Sequence, residues 1–324
     1  MDYQKVKILL DKIKSSKPRI LVIGDIMLDK YIKGSVNRIS PEAPVPILEF
    51  EKETNVLGGA GNVAHNLVNL GAEVELATII GDDSSGENIR ELLKKNQISS
   101  KYIHSSSNII TTTKTRFISQ PTHLLRLDHD SKGFDNSDLA ILNNKLNNIY
   151  KKLDCIILSD YNKGVCFSSF IKEIIKKSNS LKIPTFIDPK GLEWSKYSGA
   201  TFITPNINEA EKEIKVKLKK TFEFEKAAKA IINKYNLLSC VITRGRKGMT
   251  CVFNGKIINQ KVQKKEVFDV SGAGDTVISC LAASYSSGMN IDDSLFLAGI
   301  LSSQVVEYIG TVPFSVKMLS ENDT

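Results

Sequence analysis

Short, unbroken apolar runs recur along this chain at intervals that leave room for a helix between them. Arg19-Ile20-Leu21-Val22-Ile23 is stopped by Gly24-Asp25, and residues 155–159, 185–188, 201–204 and 240–243 repeat the pattern in the second half. A strand that reads apolar along its whole length is covered on both faces, the condition of a parallel sheet between helical layers. The alternation of these runs with helical segments predicts an α/β fold, with a mostly parallel central sheet and helices on both of its faces. Ligands of open sheets of this kind bind outside the carboxyl ends of the strands. The residues placed there are Asp25, Ser159-Asp160, Asp188-Pro189-Lys190-Gly191, Pro205-Asn206-Ile207-Asn208-Glu209 and Thr243-Arg244-Gly245. Asp25 taken alone is equally readable as an acid that ends a strand.

The stretch with the most chemistry in it is Phe268-Asp269-Val270-Ser271-Gly272-Ala273-Gly274-Asp275-Thr276. Apolar residues follow at Val277, Ile278, Leu281, Ala282 and Tyr285. That spacing predicts a helix with one buried face starting near Ala273. Two glycines before a helix leave backbone amides bare, and the aligned peptide dipoles favour negative charge there, so this is a seat for phosphate. A group meant only to hold phosphate would be cationic, yet Asp275 stands in the first turn. An acid beside an anion seat reads as a base that takes the proton from an attacking hydroxyl, with the amides of Ala273, Gly274 and Asp275 holding the charge that builds up. The plainer alternative is a helix with an N-terminal acid and a glycine turn.

Asn206 and Glu209 stand three residues apart on a predicted helix start, which puts an amide and a carboxylate on one face. A carboxylate beside a phosphate site implies magnesium, held directly or through water. The same pair is also a capping box with Asn in place of Ser. No Gly-x-x-x-x-Gly-Lys-Ser/Thr occurs, so a Walker-type site is excluded.

Between residues 28 and 50, and again between 108 and 128, alternation with proline and one polar face predicts a small antiparallel flap, or lid. Between them Gly58-Gly59-Ala60-Gly61-Asn62 feeds another helix, and a strand at 74–80 follows. Gly59-x-Gly61-x-x-Ala64 with Asp82 has the spacing of a dinucleotide fingerprint, the mark of a rival oxidoreductase reading. That fingerprint needs a strand directly before it, and residues 51–57 read as too polar for one.

With 324 residues and 41% hydrophobic content the chain can bury a large core as one domain. No run reaches a membrane span, and residues 1–19 form a Lys-rich amphipathic segment without a signal-peptide core, which places the chain in the cytoplasm. Five cysteines without a C-x-x-C pair fit a reducing compartment, three of them (Cys155, Cys240, Cys280) in apolar runs. The four histidines show no ligand spacing, and Asp128-His129-Asp130 reads as a solvated turn. The net charge of +8 is mostly lysine, spread through predicted helices such as 172–177 and 212–220; a solvated face, not nucleic acid, is implied. Only seven of the 44 basic residues are arginine, and Arg38, Arg116, Arg126 and Arg244 fall in the segments singled out above.

Taken together, Gly58-Gly59 with Asn62, Asn206-x-x-Glu209, Thr243-Arg244-Gly245 and Gly272-Ala273-Gly274-Asp275 resemble, in order and over nearly the whole chain, the ribokinase-like (PfkB) carbohydrate kinases. Longer stretches are similar to the heptose 7-phosphate kinases within that family: residues 24–29, 38–46, 158–161, 188–191 and 269–277. The resemblance implies a ribokinase-like fold and transfer of the ATP γ-phosphoryl group, with Mg2+, to the anomeric hydroxyl of D-glycero-β-D-manno-heptose 7-phosphate, on the way to ADP-heptose and lipopolysaccharide core. It implies Asp275 as base, Gly272, Ala273 and Gly274 as anion hole, and Asp25, Gly58, Gly59 and Asn62 on the sugar. Asn206, Ile207, Asn208, Glu209, Thr243, Arg244, Gly245 and Lys190 fall to nucleotide and magnesium. A substrate that already carries a phosphate needs a cation under the lid, and Arg116 and Arg126 are the arginines there; a surface or subunit contact is the alternative for Arg116. Relatives often pair through their lids, so the implied partners are a sugar phosphate, ATP and a second copy. Ser271 and Gly61 stand where Thr and Ala are more usual. Many relatives carry a fused nucleotidyltransferase with a His-x-Gly-His motif; none occurs in this sequence, so these residues are expected to make no nucleotide sugar.

Overall fold

The structure, a computed structural model, describes residues 2–119, 122–130, 134–262 and 266–319. Helix α1 (Tyr3–Ser16) buries Val6, Leu9, Leu10 and Ile13, one stripe at helical spacing. Strand β1 (Arg19–Gly24) follows, and Asp25 alone separates it from β2 (Ile26–Ile39). Then come β3 (Pro46–Gly59), α2 (Ala60–Leu70), β4 (Glu73–Gly81), α3 (Ser84–Lys95), β5 (Ser99–Ser106), β6 (Thr113–Ser119) and β7 (Thr122–His129). The second half runs α4 (Asn136–Lys145), β8 (Cys155–Ser159), α5 (Ser168–Ser180), β9 (Thr185–Asp188), β10 (Phe202–Ile203), α6 (Ile207–Ile214), α7 (Thr221–Tyr235) and β11 (Ser239–Thr243). It ends with β12 (Met249–Phe253), β13 (Lys256–Gln260), α8 (Ala273–Ser286) and α9 (Ile291–Val305).

Among the described residues the large sheet has the order β13-β12-β11-β10-β9-β8-β1-β4-β5. It is parallel from β11 to β5, with β12 and β13 added antiparallel at one edge. Successive residues of β1 point to opposite faces, as a strand's period of two requires. Ile20 and Val22 enter the core with α1, α2, α8 and α9, whereas Leu21 and Ile23 enter the core with α4, α5 and α7. This is the expected layering. Because β1 lies between β4 and β8, the chain leaves it in both directions across the sheet, and the crevice of a doubly wound sheet opens at such a switch point. Asp25, Asp160 and Tyr161 sit at its rim.

The second sheet has the order β3-β2-β6-β7. It is built from two antiparallel ribbons, β2/β3 and β6/β7, joined by a parallel pair, β2 with β6. The lid strands span 26–59 and 113–129 and so run beyond the expected 28–50 at both ends. Residues 51–57, read as too polar for a strand, lie inside β3. A strand therefore does precede the glycine turn at Gly59, but it belongs to the lid and not to the parallel sheet, so the dinucleotide geometry is absent for a different reason from the one expected. The polarity misleads because residues 51–53 are exposed and residues 54–56 only partly buried: the β2 ladder, not burial, holds this strand.

Two further expectations are corrected. Asp128 and His129 end strand β7 instead of forming a turn. The lysine-rich helix expected to reach residue 220 stops at Ile214, where Lys215 takes the left-handed conformation (φ 57°). All five cysteines are free and buried. Among the described residues no helix is long and apolar enough to cross a membrane.

Candidate functional site

Helix α8 begins where the sequence places it. Gly272 carries a positive φ of 80°, and a Cβ there would crowd the Asn62 amide at 3.0 Å, so glycine lets the turn close against α2. The Thr276 amide is bonded to the Gly272 carbonyl, and that of Ala273 reaches the Val270 carbonyl at 3.3 Å. The amides of Gly274 and Asp275 have no acceptor among the described residues and form the bare part of the helix start.

Asp275 is buried, and each of its oxygens accepts one hydrogen bond. Asn62 Nδ2 donates to Oδ2 at 2.7 Å, and the Tyr161 hydroxyl donates to Oδ1 at 2.8 Å. Burial raises the Asp275 carboxyl to about 6, against the pull of these two donors. Asn62 thus reaches the acid of α8 from α2, and it is fully buried. The Tyr161 phenol is pushed well up by burial and by the Asp275 charge, so it remains a donor.

Asp25 does not face the crevice with a free carboxylate. Its Oδ2 accepts from the backbone amides of Tyr161 (2.9 Å) and Lys163 (3.0 Å), and its Oδ1 accepts from Val165 (2.9 Å). The residue expected on the sugar ties down the loop that carries Tyr161. Burial, then the Asp160 charge, raise its carboxyl to about 6 in spite of the three amides. Gly59, at φ 58°, lets the chain cross beside the Asp25 carbonyl, which accepts from the Ala60 amide at 3.0 Å. Gly58 lies where a Cβ would come within 2.6 Å of Asp29 Oδ2.

Around this centre lie two joined clefts. The first is polar, with Asp160, Tyr161, Asp188, Lys190, Glu209 and Asp275 on its walls. The second is apolar, walled by Ile207, Met249, Val262, Val267, Val270 and Val306, with Asn208, Gly245 and Ala273 also on its wall. Asn206, Thr243 and Gly274 border both, so the start of α8 stands where they meet. The capping box is present: Asn206 Oδ1 accepts from the Glu209 amide at 3.0 Å, and Glu209 Oε2 accepts from the Asn206 amide at 2.9 Å. Glu209 Oε1 remains for the cleft, where Lys190 Nζ lies 2.8 Å away. Burial, followed by the Asp275 and Glu209 charges, pushes the Asp188 carboxyl well up. Such a knot of like charges suits a cation. Among the described residues no three acids converge closely enough to hold a metal unaided.

Three arginines differ from expectation. Arg244 borders neither cleft: its guanidinium stacks 5.5 Å from the Phe224 ring, and Nη2 reaches the Met249 carbonyl at 3.5 Å, while Arg246 lines the apolar cleft in its place. Arg116 lies cross-strand from Arg126, and like charges so placed need relief. Each finds an acid: Arg116 pairs with buried Asp29 at 2.7 Å, and exposed Arg126 pairs with Asp128 at 2.8 Å. Both arginines expected on the substrate phosphate thus already have a carboxylate partner. The roles of Asp29, Lys114 and Tyr161 are not marked in the sequence: the Gly24 to Asp29 stretch holds the first, but nothing local marks a tyrosine that serves an acid 114 positions away.

Residues 17–317 match the family described as pfkB family carbohydrate kinase. The chain is 38% identical over 310 residues to the bifunctional protein HldE of Sulfurimonas denitrificans, covering 95% of this chain and 65% of that protein. It is 40% identical over 294 residues to the bifunctional protein HldE of Actinobacillus succinogenes, covering 90% of this chain and 61% of the other. The chain thus spans a little under two thirds of the length of these relatives. Phosphofructokinase-2 from Escherichia coli shares the fold at a TM-score of 0.78 and 16% identity, with 94% of this chain and 97% of that one covered. Arabidopsis thaliana ribokinase, solved with ribose and ATP, shares it at 0.73 and 18%, with 95% and 99% covered. The fold is therefore ribokinase-like, and the chain belongs to the pfkB family of carbohydrate kinases, phosphotransferases that use an alcohol group as acceptor.

Proposed function

We propose that this chain transfers the γ-phosphoryl group of ATP to the anomeric hydroxyl of D-glycero-β-D-manno-heptose 7-phosphate, giving the 1,7-bisphosphate that feeds ADP-heptose and lipopolysaccharide core. The observation that carries the chemistry is Asp275, gripped by Asn62 and Tyr161 beside the two bare amides of α8. The observation that favours the heptose is the identity to HldE proteins over nine tenths of the chain.

In this reading Asp275 takes the proton as the sugar oxygen attacks the γ-phosphorus. The bond from that phosphorus to the bridging oxygen breaks, ADP leaves, and the Gly274 and Asp275 amides stabilise the charge on the group in transit. Asn62 and Tyr161 keep the carboxylate aimed, and Asp25 keeps Tyr161 in place through the loop. The apolar cleft takes the adenine, and Asn206 and Thr243 lie where its phosphates would enter the polar one. Glu209 and Asp188 are the acids that would hold magnesium, directly or through water. Bound there, the metal neutralises charge on the nucleotide's phosphates.

The test is coupled ATP turnover against heptose 7-phosphate, fructose 6-phosphate, ribose and adenosine. Heptose 7-phosphate is expected to give the highest kcat/KM by about a hundredfold or more. Faster use of another acceptor would replace the substrate and leave the mechanism standing; no turnover of any would remove both. A second expectation concerns Glu209. Glu209→Gln retains the cap yet removes the charge, so the magnesium concentration for half-maximal rate should rise about tenfold while the sugar KM changes less than about threefold. Equal shifts in both would reduce Glu209 to a capping residue.

A further inference from the structure

Four cations lie on the lid strands β6 and β7 and on the loop after β8, and three of them are paired with acids. Arg116 is paired with Asp29, Arg126 with Asp128, and Lys163 from the loop after β8 with Asp130 at 2.5 Å. The fourth is Lys114 on β6. It is half-buried, its ammonium stands 5.9 Å from the centre of the Tyr161 ring, and among the described residues it has no ion pair. Its charge is felt by Asp275, and it feels first Asp29, its register partner on β2, and then Asp128, Lys163 and Arg126. Burial lowers its ammonium pKa in spite of the Asp29 and Asp128 charges, with Lys163 and Arg126 adding to the shift, the mark of a charge withdrawn from water without full compensation.

A half-buried cation that closes no ion pair of its own, because Asp29 and Asp128 are already held by Arg116 and Arg126, is suited to an anion that arrives with a ligand. We propose that Lys114 holds the phosphate monoester of the acceptor sugar and so determines that the enzyme takes a sugar phosphate in preference to the free sugar. This rests on the kinase reading above and transfers to Lys114 the role that the sequence suggests for Arg116 and Arg126. Arg116 is engaged by a buried acid, and releasing it would strand Asp29; Lys114 breaks nothing when it binds.

The experiment compares wild type, Lys114→Ala and Lys114→Arg on heptose 7-phosphate and on unphosphorylated heptose, together with thermal midpoints. Lys114→Ala should raise KM for the phosphorylated sugar about tenfold to a hundredfold, with KM for free heptose changed less than about threefold. Lys114→Arg should restore most of the preference, and the thermal midpoint should hold, since no native ion pair is lost. Equal losses on both sugars would mean that Lys114 serves the transferred group, and the proposal falls. A wild-type preference for the phosphorylated sugar that survives Lys114→Ala overturns this inference alone. A wild type indifferent to the phosphate overturns the proposed acceptor and the inference with it.

Discussion

Asp275→Asn is expected to lower turnover about 10²–10⁴-fold with ATP affinity little changed. The substitution keeps the shape of the side chain, and its oxygen can still accept from Asn62 or Tyr161, so the helix start and its bare amides stay in place. What disappears is the ability to take a proton. A loss below about tenfold would show that the acid is only a helix-start residue. The pH dependence of the unmodified enzyme bears on the same point. A base must be ionised to take a proton, so if Asp275 is that base, with burial raising it to about 6, kcat/KM should rise with pH through that region and level off above it. Asp25 is raised to about 6 as well, so protonation of the loop anchor in the same window should make the acid limb steeper than one proton allows. A rate that stays flat down to roughly pH 5 would contradict a base with this environment.

Asp25→Asn is expected to damage the enzyme without touching its substrate. An amide retains one acceptor oxygen and sets an NH2 against backbone N–H groups, so of the three bonds to Tyr161, Lys163 and Val165 at least one is lost outright. A buried amide left without an acceptor costs on the order of 1–3 kcal/mol, and the whole change about 2–3 kcal/mol of stability. With the loop loosened, the Tyr161 hydroxyl no longer stays 2.8 Å from Asp275. Turnover should then fall about tenfold to a hundredfold while the sugar KM moves little. If Asp25 touched the sugar, as its position at the end of β1 suggests from sequence, the pattern would be reversed: a raised sugar KM with an unchanged thermal midpoint.

That contrast marks where sequence stops being informative. The apolar runs at β8 and β9 gave element boundaries that the structure reproduces, because strands buried on both faces leave no ambiguity of period. The start of α8 and the pairing of Asn206 with Glu209 were equally legible, since each is a local pattern with a local cause. The lid was visible only in outline. All of β7 is exposed, so nothing in its burial imposes a pattern on its sequence. The antiparallel edge at β12–β13 was not anticipated, although Asn254 (φ 47°) and Gly255 (φ 77°) form the kind of tight turn that such a pair of residues signals. The pairing of Arg116 is not legible in the sequence because its partner Asp29 lies 87 positions away, and charge balance between lid strands is a property of register, not of either strand. Tyr161 and Lys114 are missed on the same ground: their importance comes from what faces them.

The joint at Asp25 also sets how stiff the lid is along its length. One residue separates the central sheet from β2, and its side chain is fastened to three amides of a third segment. At the other root, β3 runs into α2 without a break. A flap clamped at both roots cannot swing like a door; it behaves as a cantilever, rigid at its base and yielding farther out. The ladder between β2 and β3 slips register twice, at Lys33/Gly34 and at Val36/Arg38, beyond the stretch of β2 that β6 supports. Bending is expected to concentrate there. Motion that admits or releases a ligand would then bend the outer ribbon while Asp29, Gly58 and Lys114 keep their distance from Asp275, leaving the catalytic alignment undisturbed from one turnover to the next.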